Sequence, residues 1–268
     1  MPYAEMVVFH EAKVGSADHE WEDGAGFDAG DPAHGRDARC IVVDGATEAY
    51  DSIRWVGQLV DSFVGVDPVG GMPALTREGM DAWFGLMQDR WQATAPTTFG
   101  SIFEERKFHQ DGSFATLLGC EIRGLDGLRP SWQAVALGDT VLFHVRGADV
   151  VAQFPELAAE DFGLDPEGVS TQPSTRDRMR RRLAFTSGQL AVGDRLYLAT
   201  DALANWMVRA VRSEGEWLWP AFDSLRDPMT FRRDIADCRR TGEMKNDDVT
   251  LMRVEITDSG PDYLVVCE

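Results

Sequence analysis

Lysine is scarce in this chain of 268 residues: Lys13, Lys107 and Lys245 are all there is. Positive charge is short overall, with 26 Lys+Arg against 45 Asp+Glu and a formal net of −19. Such a field repels polyphosphate, so nucleic acid is not an expected partner. No uninterrupted apolar run reaches the roughly eighteen residues that a membrane-spanning helix needs. The opening Met1-Pro2-Tyr3-Ala4-Glu5 lacks a charged-then-apolar secretory pattern. The expectation is a cytoplasmic protein with no membrane partner. Cys40, Cys120, Cys238 and Cys267 form no C-x-x-C pair and are expected to stay reduced, the first two inside apolar strands. G-x-S-x-G, H-E-x-x-H and G-x-x-x-x-G-K are all missing. Nor is there an internal repeat or an interdomain linker, so 1–268 reads as a single domain, with a monomer the expectation.

What is present is ordinary globular composition, 44% apolar and 26% charged. Met6–Phe9 begins a strand, and Cys40–Val43 is another, stopped by the Asp44-Gly45 turn signal. Ile53, Val56, Val60 and Phe63 recur at helical spacing and predict a helix from about Ala49 to Val64. Past Pro68, Gly70, Gly71 and Pro73, a second helix carries Met80, Trp83, Phe84, Met87 and Trp91 on one face, a core stripe. Phe114–Leu118, Trp132–Leu137 and Val141–Val145 read as strands, the last two joined by Gly138-Asp139 as a two-residue hairpin. Their apolar character calls for cover on both faces. Residues 151–185 read as a loop-rich insertion ending in a basic helix start, Arg176–Arg182. A strand Leu196–Ala199, helices near 202–213 and 229–241, a strand Val249–Val254 and a closing strand Tyr263–Val266 complete the chain.

Several acids abut strand ends. Asp44 follows Ile41-Val42-Val43, Asp201 follows Leu198-Ala199-Thr200, and Asp247-Asp248 precedes Val249-Thr250-Leu251. Glu22-Asp23 lies ahead of the strand that carries Asp44. Carboxylates at the ends of neighbouring strands can converge, and would then raise one another's pKa unless cations neutralise them. Carboxylate oxygens are the hard ligands that Mg²⁺ and Mn²⁺ require. On spacing alone, ordinary turn and cap aspartates remain the simpler reading.

Taken in order, six segments resemble the metal-dependent type-2C (PPM) serine/threonine protein phosphatases over almost the whole chain. They are Trp21-Glu22-Asp23-Gly24 (family E/Q-D), Val43-Asp44-Gly45 (A-D-G), Gly112-Ser113-Phe114-Ala115 (G-S-T-A), Leu137-Gly138-Asp139-Thr140 (G-D-S-R), Leu198-Ala199-Thr200-Asp201-Ala202-Leu203 (L-A-T-D-G-L) and Asn246-Asp247-Asp248-Val249-Thr250 (D-N/D-x-T/S). With arginine far outnumbering lysine, the chain looks like a divergent bacterial-type member. The resemblance implies an α+β fold: a four-layer α-β-β-α sandwich of two antiparallel sheets flanked by helices, with 151–185 as a flap-like insertion. It implies hydrolysis of phosphoserine and phosphothreonine in a phosphorylated protein substrate by water activated between two Mn²⁺ or Mg²⁺ ions. Asp44 would bridge the ions, helped by the Gly45 carbonyl. Asp201 and Asp247 would complete the second ion's shell. Asp23, with Glu22, would hold or orient bound waters, and Asp139 matches the position that supports a third, looser ion.

The departures lie on the phosphate side. Where the family carries an arginine ahead of E-D, this chain has Asp18, with Lys13 as a candidate substitute. After D-G the family's x-G-G becomes Ala46-Thr47-Glu48, which puts Glu48 near the expected metals and leaves no histidine there as a general acid. Ala202 replaces a glycine. The alternative reading is therefore a catalytically impaired relative that serves as a regulatory binding module. Of the remaining candidates, His19 lies beside Glu22-Asp23, His144 reads as a structural histidine, and Trp217–Trp219 reads as core. The Arg176–Arg182 run suits either a solvated helix face or a phosphorylated partner.

Overall fold

The computed structural model describes every residue except 1, 32–33, 48, 67–70, 97, 128, 164–166, 214 and 259–268, and the side chain of Glu216. The expected closing strand 263–266, Cys267 and Glu48 thus lie outside the described residues. The strands are β1 (Tyr3–Glu11), β2 (Gly24–Asp28), β3 (Ala38–Gly45), β4 (Phe114–Arg123), β5 (Ser131–Leu137), β6 (Val141–Arg146), β7 (Asp149–Phe154), β8 (Val169–Ser170), β9 (Ala184–Gln189), β10 (Asp194–Ala199) and β11 (Val249–Thr257). The helices are α1 (Ser52–Phe63), α2 (Arg77–Ala93), α3 (Ile102–Arg106), α4 (Arg176–Arg182), α5 (Asp201–Arg212), α6 (Leu218–Ser224) and α7 (Pro228–Thr241). One antiparallel sheet runs β1-β11-β10-β6-β7; the other runs β2-β3-β4-β5-β9, with β8 added to β4. This is the expected α+β sandwich. No helix among the described residues is long and apolar enough to cross a membrane.

The two-residue period of the strands sorts side chains into layers. In β3, Cys40 and Val42 face the other sheet while Ile41 and Val43 face helices. Leu118, Cys120 and Ile122 of β4, Leu196 and Leu198 of β10, and Met252, Val254 and Ile256 of β11 fill the space between the sheets. Outside the second sheet, α1 and α2 pack Trp55, Leu59, Phe63, Met80, Phe84, Met87 and Trp91 onto Ile41, Val43, Leu117 and Val135. Outside the first, α5, α6 and α7 pack Leu203, Met207, Trp219 and Phe231 onto Phe143, Tyr197 and Leu251. Cys40 and Cys120 are register partners, buried and free. The Met/Trp stripe of α2 is core, as its spacing predicts.

Some expectations need correcting. Gly138-Asp139 is not a hairpin turn: β5 pairs with β4 and β9, whereas β6 pairs with β10 and β7, so here the chain crosses from one sheet to the other. Two strands covered on both faces read alike whichever partner they take, so local pattern does not select the pairing. Gly138 has φ +114°, and a Cβ there would meet Thr116 Cβ at 2.5 Å and the Glu167 carbonyl at 2.6 Å. In α1, Ile53 is exposed, and Trp55 and Leu59 complete the buried face instead. The 151–185 stretch contains more strand than its prolines suggest, β7 and β8 among it. Trp219 is core but Trp217 is exposed, edge-on to Trp206. β2 and β9, glycine-containing and half-buried, give no apolar run to recognise.

Gly119 tests the helix-to-sheet packing. A Cβ on it would sit 2.4 Å from Cζ of Phe63, whose ring is fully buried edge-on to Trp83 and has no room to swing away. Gly119→Ala should destabilise the fold by roughly 1–3 kcal/mol. Gly57→Ala, mid-helix in α1 with open space around it, should stabilise by about 0.5–1 kcal/mol. Urea unfolding of both variants checks the pair; equal midpoints would contradict this packing.

Candidate metal centre

The strand parity that builds the inter-sheet core also builds the site. Asp44 follows Cys40 and Val42 on the inter-sheet side of β3, and Thr116 opposite it in register belongs to the same side of β4. Thr250 precedes Met252 and Val254 in the same way, and Thr200 follows Leu196 and Leu198. Asp23 precedes Ala25 and Phe27, which pack on that core. The apolar layer thus gives way at one end of the sandwich to a polar one.

Hydrogen bonds tie this end together. Thr250 Oγ1 donates to Asp23 Oδ2 at 2.8 Å, and Thr250 N donates to Thr200 Oγ1 at 2.9 Å. Thr116 and Thr140 share a buried hydroxyl–hydroxyl bond of 2.7 Å beside the crossover that carries Asp139. Asp201 is the first residue of α5, where its Oδ1 accepts from Ala202 N at 2.5 Å; a helix N-terminus favours a carboxylate. Gly45 leaves space for the 20s segment: a Cβ would stand 2.4 Å from the Glu22 carbonyl. Asp248, buried, accepts from Lys13 N through Oδ1 and from Glu22 N through Oδ2, both at 2.8 Å, and so fastens both ends of the β1–β2 connection.

The acids fall into one electrostatic neighbourhood. Asp23 is pushed well above the usual carboxylate range, chiefly by burial, against bonds from Thr250 and Thr200, with Asp248 and Asp201 adding to the rise. Asp44 is raised likewise, first by withdrawal from water and then by Asp23, Asp201, Asp139 and Asp247. Asp201 is raised to about 6, by burial first and then by Asp139 and Asp247, against Lys245. Burial also raises Asp139, whose Oδ1 is buried with no hydrogen-bond partner. Lys245 Nζ reaches into this set, 2.6 Å from Asp247 Oδ2 and 3.7 Å from Asp201 Oδ2.

As the side chains stand, no three His, Cys, Asp or Glu among the described residues converge closely enough to hold a metal ion. The donor set nevertheless fits a hard divalent cation: all-oxygen, crowded with like charge, with an orphaned buried oxygen on Asp139. Glu22 is differently placed. Burial opposes its ionisation, but hydrogen bonds from Lys13, Ser52 and Thr47 outweigh it and lower its pKa. Lys13 Nζ donates to Glu22 Oε2 at 2.6 Å and to Thr47 Oγ1 at 2.9 Å, so it already has two anchors. Asp18, at the expected arginine position, is exposed and paired with Arg232 at 3.4 Å. His19 is exposed beside it. His144 is structural, hydrogen-bonded to Asp194 at 2.9 Å and accepting from Trp132 Nε1 at 3.3 Å. Arg176, Arg178, Arg180 and Arg182 pair with Asp81, Glu167 and Glu78, which suits a solvated face better than a free phosphate clamp. Sequence reasoning missed the threonines and Asp248, whose roles depend on cross-sheet register, and Lys245, which no spacing ties to Asp201.

No family model and no curated protein matches the chain. Solved structures do. The catalytic domain of the serine/threonine protein phosphatase PstP in complex with two manganese ions is 14% identical, with a TM-score of 0.58 over 96% of this chain and 100% of that one. RsbX in complex with magnesium is 12% identical, with a TM-score of 0.51 over 95% and 96%. PppA, a regulatory component of the type VI secretion system in Pseudomonas aeruginosa, is 17% identical, with a TM-score of 0.53 over 95% and 98%. The chain has the fold of these proteins.

A carboxyl whose folded pKa lies above its unfolded value binds more protons when folded, so it contributes stability at low pH that is lost as pH rises through the folded value. With Asp201 raised from 3.8 to about 6 and Asp23 and Asp44 also raised, the metal-free protein should melt at progressively lower temperature as pH climbs from about 4.5 to 6.5. Asp201→Asn should flatten that slope. Melts in EDTA across the range read both; a wild-type profile that stays level or rises would contradict the crowding.

Proposed function

We propose that this chain is a metal-dependent phosphomonoester hydrolase that removes phosphate from phosphoserine and phosphothreonine in proteins, acting as a cytoplasmic monomer. The carrying observation is the gathering of Asp23, Asp44, Asp139, Asp201 and Asp247 into one mutually repelling set at the polar end of a type-2C-like sandwich. Manganese in PstP and magnesium in RsbX support Mn²⁺ or Mg²⁺ as the cofactor. Asp44 would be shared between two ions, with the Gly45 carbonyl as a further ligand, Asp201 and Asp247 on the second ion and Asp139 on a third, looser one. Bound there, the ions would supply an acidified water and a positive field for the phosphoryl oxygens.

The chain's own residues do the rest. Asp23, which accepts from Thr250, would hold or orient bound water. Glu22, kept ionised by Lys13, Ser52 and Thr47, adds a fixed acceptor at the rim. Asp248 sets the backbone positions of Lys13 and Glu22, so it is a positioning residue. Lys13 remains the candidate for holding substrate phosphate, and 151–185 the candidate flap: Gly163 N approaches Asp139 Oδ2 at 3.4 Å.

A second reading, a regulatory binding module of impaired catalysis, is favoured by the phosphate side. Asp18 faces Arg232 where a free arginine is expected, and Lys13 is already engaged. Hydrolysis of p-nitrophenyl phosphate and of a phosphothreonine peptide with Mn²⁺ separates the two. The hydrolase reading expects turnover that Asp44→Ala lowers by roughly a hundredfold or more; a wild-type rate no greater than the variant's leaves the binding module. On either reading that keeps the ions, millimolar Mn²⁺ should raise the melting temperature and EDTA lower it.

A further inference from the structure

Lys245 stands in the turn between α7 and β11. Its ammonium contact with Asp247 at 2.6 Å is one that a short turn makes locally. Its reach to Asp201 at 3.7 Å is not: Asp201 opens α5, on another part of the fold. A single compact charge therefore spans the two carboxylates that, on the hydrolase reading, share one ion. The lysine side chain is 63% exposed, so apolar packing does not hold it there. What holds it is the surplus of negative charge, in which Asp44 and Asp139 also feel its field. An ammonium is a strongly hydrated point charge on a flexible stem, which suits it to take a cation's place and to leave it. Lys13 cannot take this role while it is bound to Glu22 and Thr47.

We propose that Lys245 is a tethered cation that occupies the second ion's place between Asp201 and Asp247 in the metal-free protein, and that this ion enters only by displacing it. The inference rests on the metal-centre reading above and deepens it. Lys245 tempers the repulsion among the acids when no metal is bound, and it raises the metal concentration needed to fill the second position. The protein's metal occupancy then depends on its own side chain as well as on the supply of ions.

Three lysines in the whole chain make a direct test possible. Protein labelled with ¹³C at the lysine ε-carbon should give three signals, assigned by Lys107→Arg and Lys13→Arg. Diamagnetic Mg²⁺ should move the Lys245 signal toward that of free lysine, in step with calorimetric uptake, and leave Lys107 in place. Separately, Lys245→Met should tighten the weaker step of Mn²⁺ binding by roughly tenfold, the scale of two partly exposed ion pairs that no longer need breaking. The same variant should melt lower than wild type without metal. A Lys245 signal that stays put at saturating Mg²⁺, or Mn²⁺ affinity in the variant equal to or below wild type, overturns the proposal; the wild-type spectrum decides it even if the variant does not fold. Absence of Mg²⁺ and Mn²⁺ uptake by wild type overturns the metal centre and this inference together, whereas uptake with Lys245 unmoved overturns this inference alone.

Discussion

Like charge forced together at the end of an apolar layer is the constraint around which this molecule is arranged. Two carboxylates a few ångströms apart repel strongly once water is excluded, and a set of them disfavours its own ionisation. The rise in Asp23, Asp44 and Asp201 comes first from burial and then from that repulsion. A fold tolerates such a set only if it is held by something stiffer than the repulsion. Here the holder is the inter-sheet core, whose residues Cys40, Val42, Leu118, Leu198 and Met252 are fully buried and leave the strand ends no freedom to splay. Close-packed interiors transmit strain rather than absorb it.

The polar groups nearest the acids extend that stiffness. Thr200 and Thr250 knit β10 to β11 where the core ends, and Thr250 passes the grip to Asp23 across the sandwich. Asp248 does the same by backbone contacts, fixing residues 13 and 22 from the start of β11. A buried carboxylate with two N–H donors is well satisfied, so Asp248 fastens the site even as its charge adds to the rise in Asp23. Of the adjacent pair, Asp248 thus clamps backbone while Asp247 pairs with Lys245, a division set by which way each side chain leaves the strand end.

Among the described residues, several cations near this site are already engaged. Lys13 is bound by Glu22 and Thr47, Arg232 by Glu11 and Asp18, and Lys245 by Asp247 and Asp201. Arg239, beside Asp247, donates instead to the backbone carbonyls of Ala12, Glu11 and Asp247. On the hydrolase reading, the acids lie where the resemblance expects them, whereas Asp18, paired with Arg232, stands where it expects an arginine.

The sequence by itself determined the layers. Alternation within β3, β4 and β11 and the Met/Trp stripe of α2 follow from burial, a property each segment carries locally, and the order of the six family-like segments pointed to the sandwich. Tertiary structure alone decided which strands became neighbours. The crossing at Gly138-Asp139, the exposure of Ile53 beside a face completed by Trp55 and Leu59, the clamp made by Asp248 and the reach of Lys245 to Asp201 all depend on partners distant in the chain. Hydrophobic burial is blind to partner identity, whereas hydrogen bonds and ion pairs act over a few ångströms and exist only once the chain has chosen its neighbours.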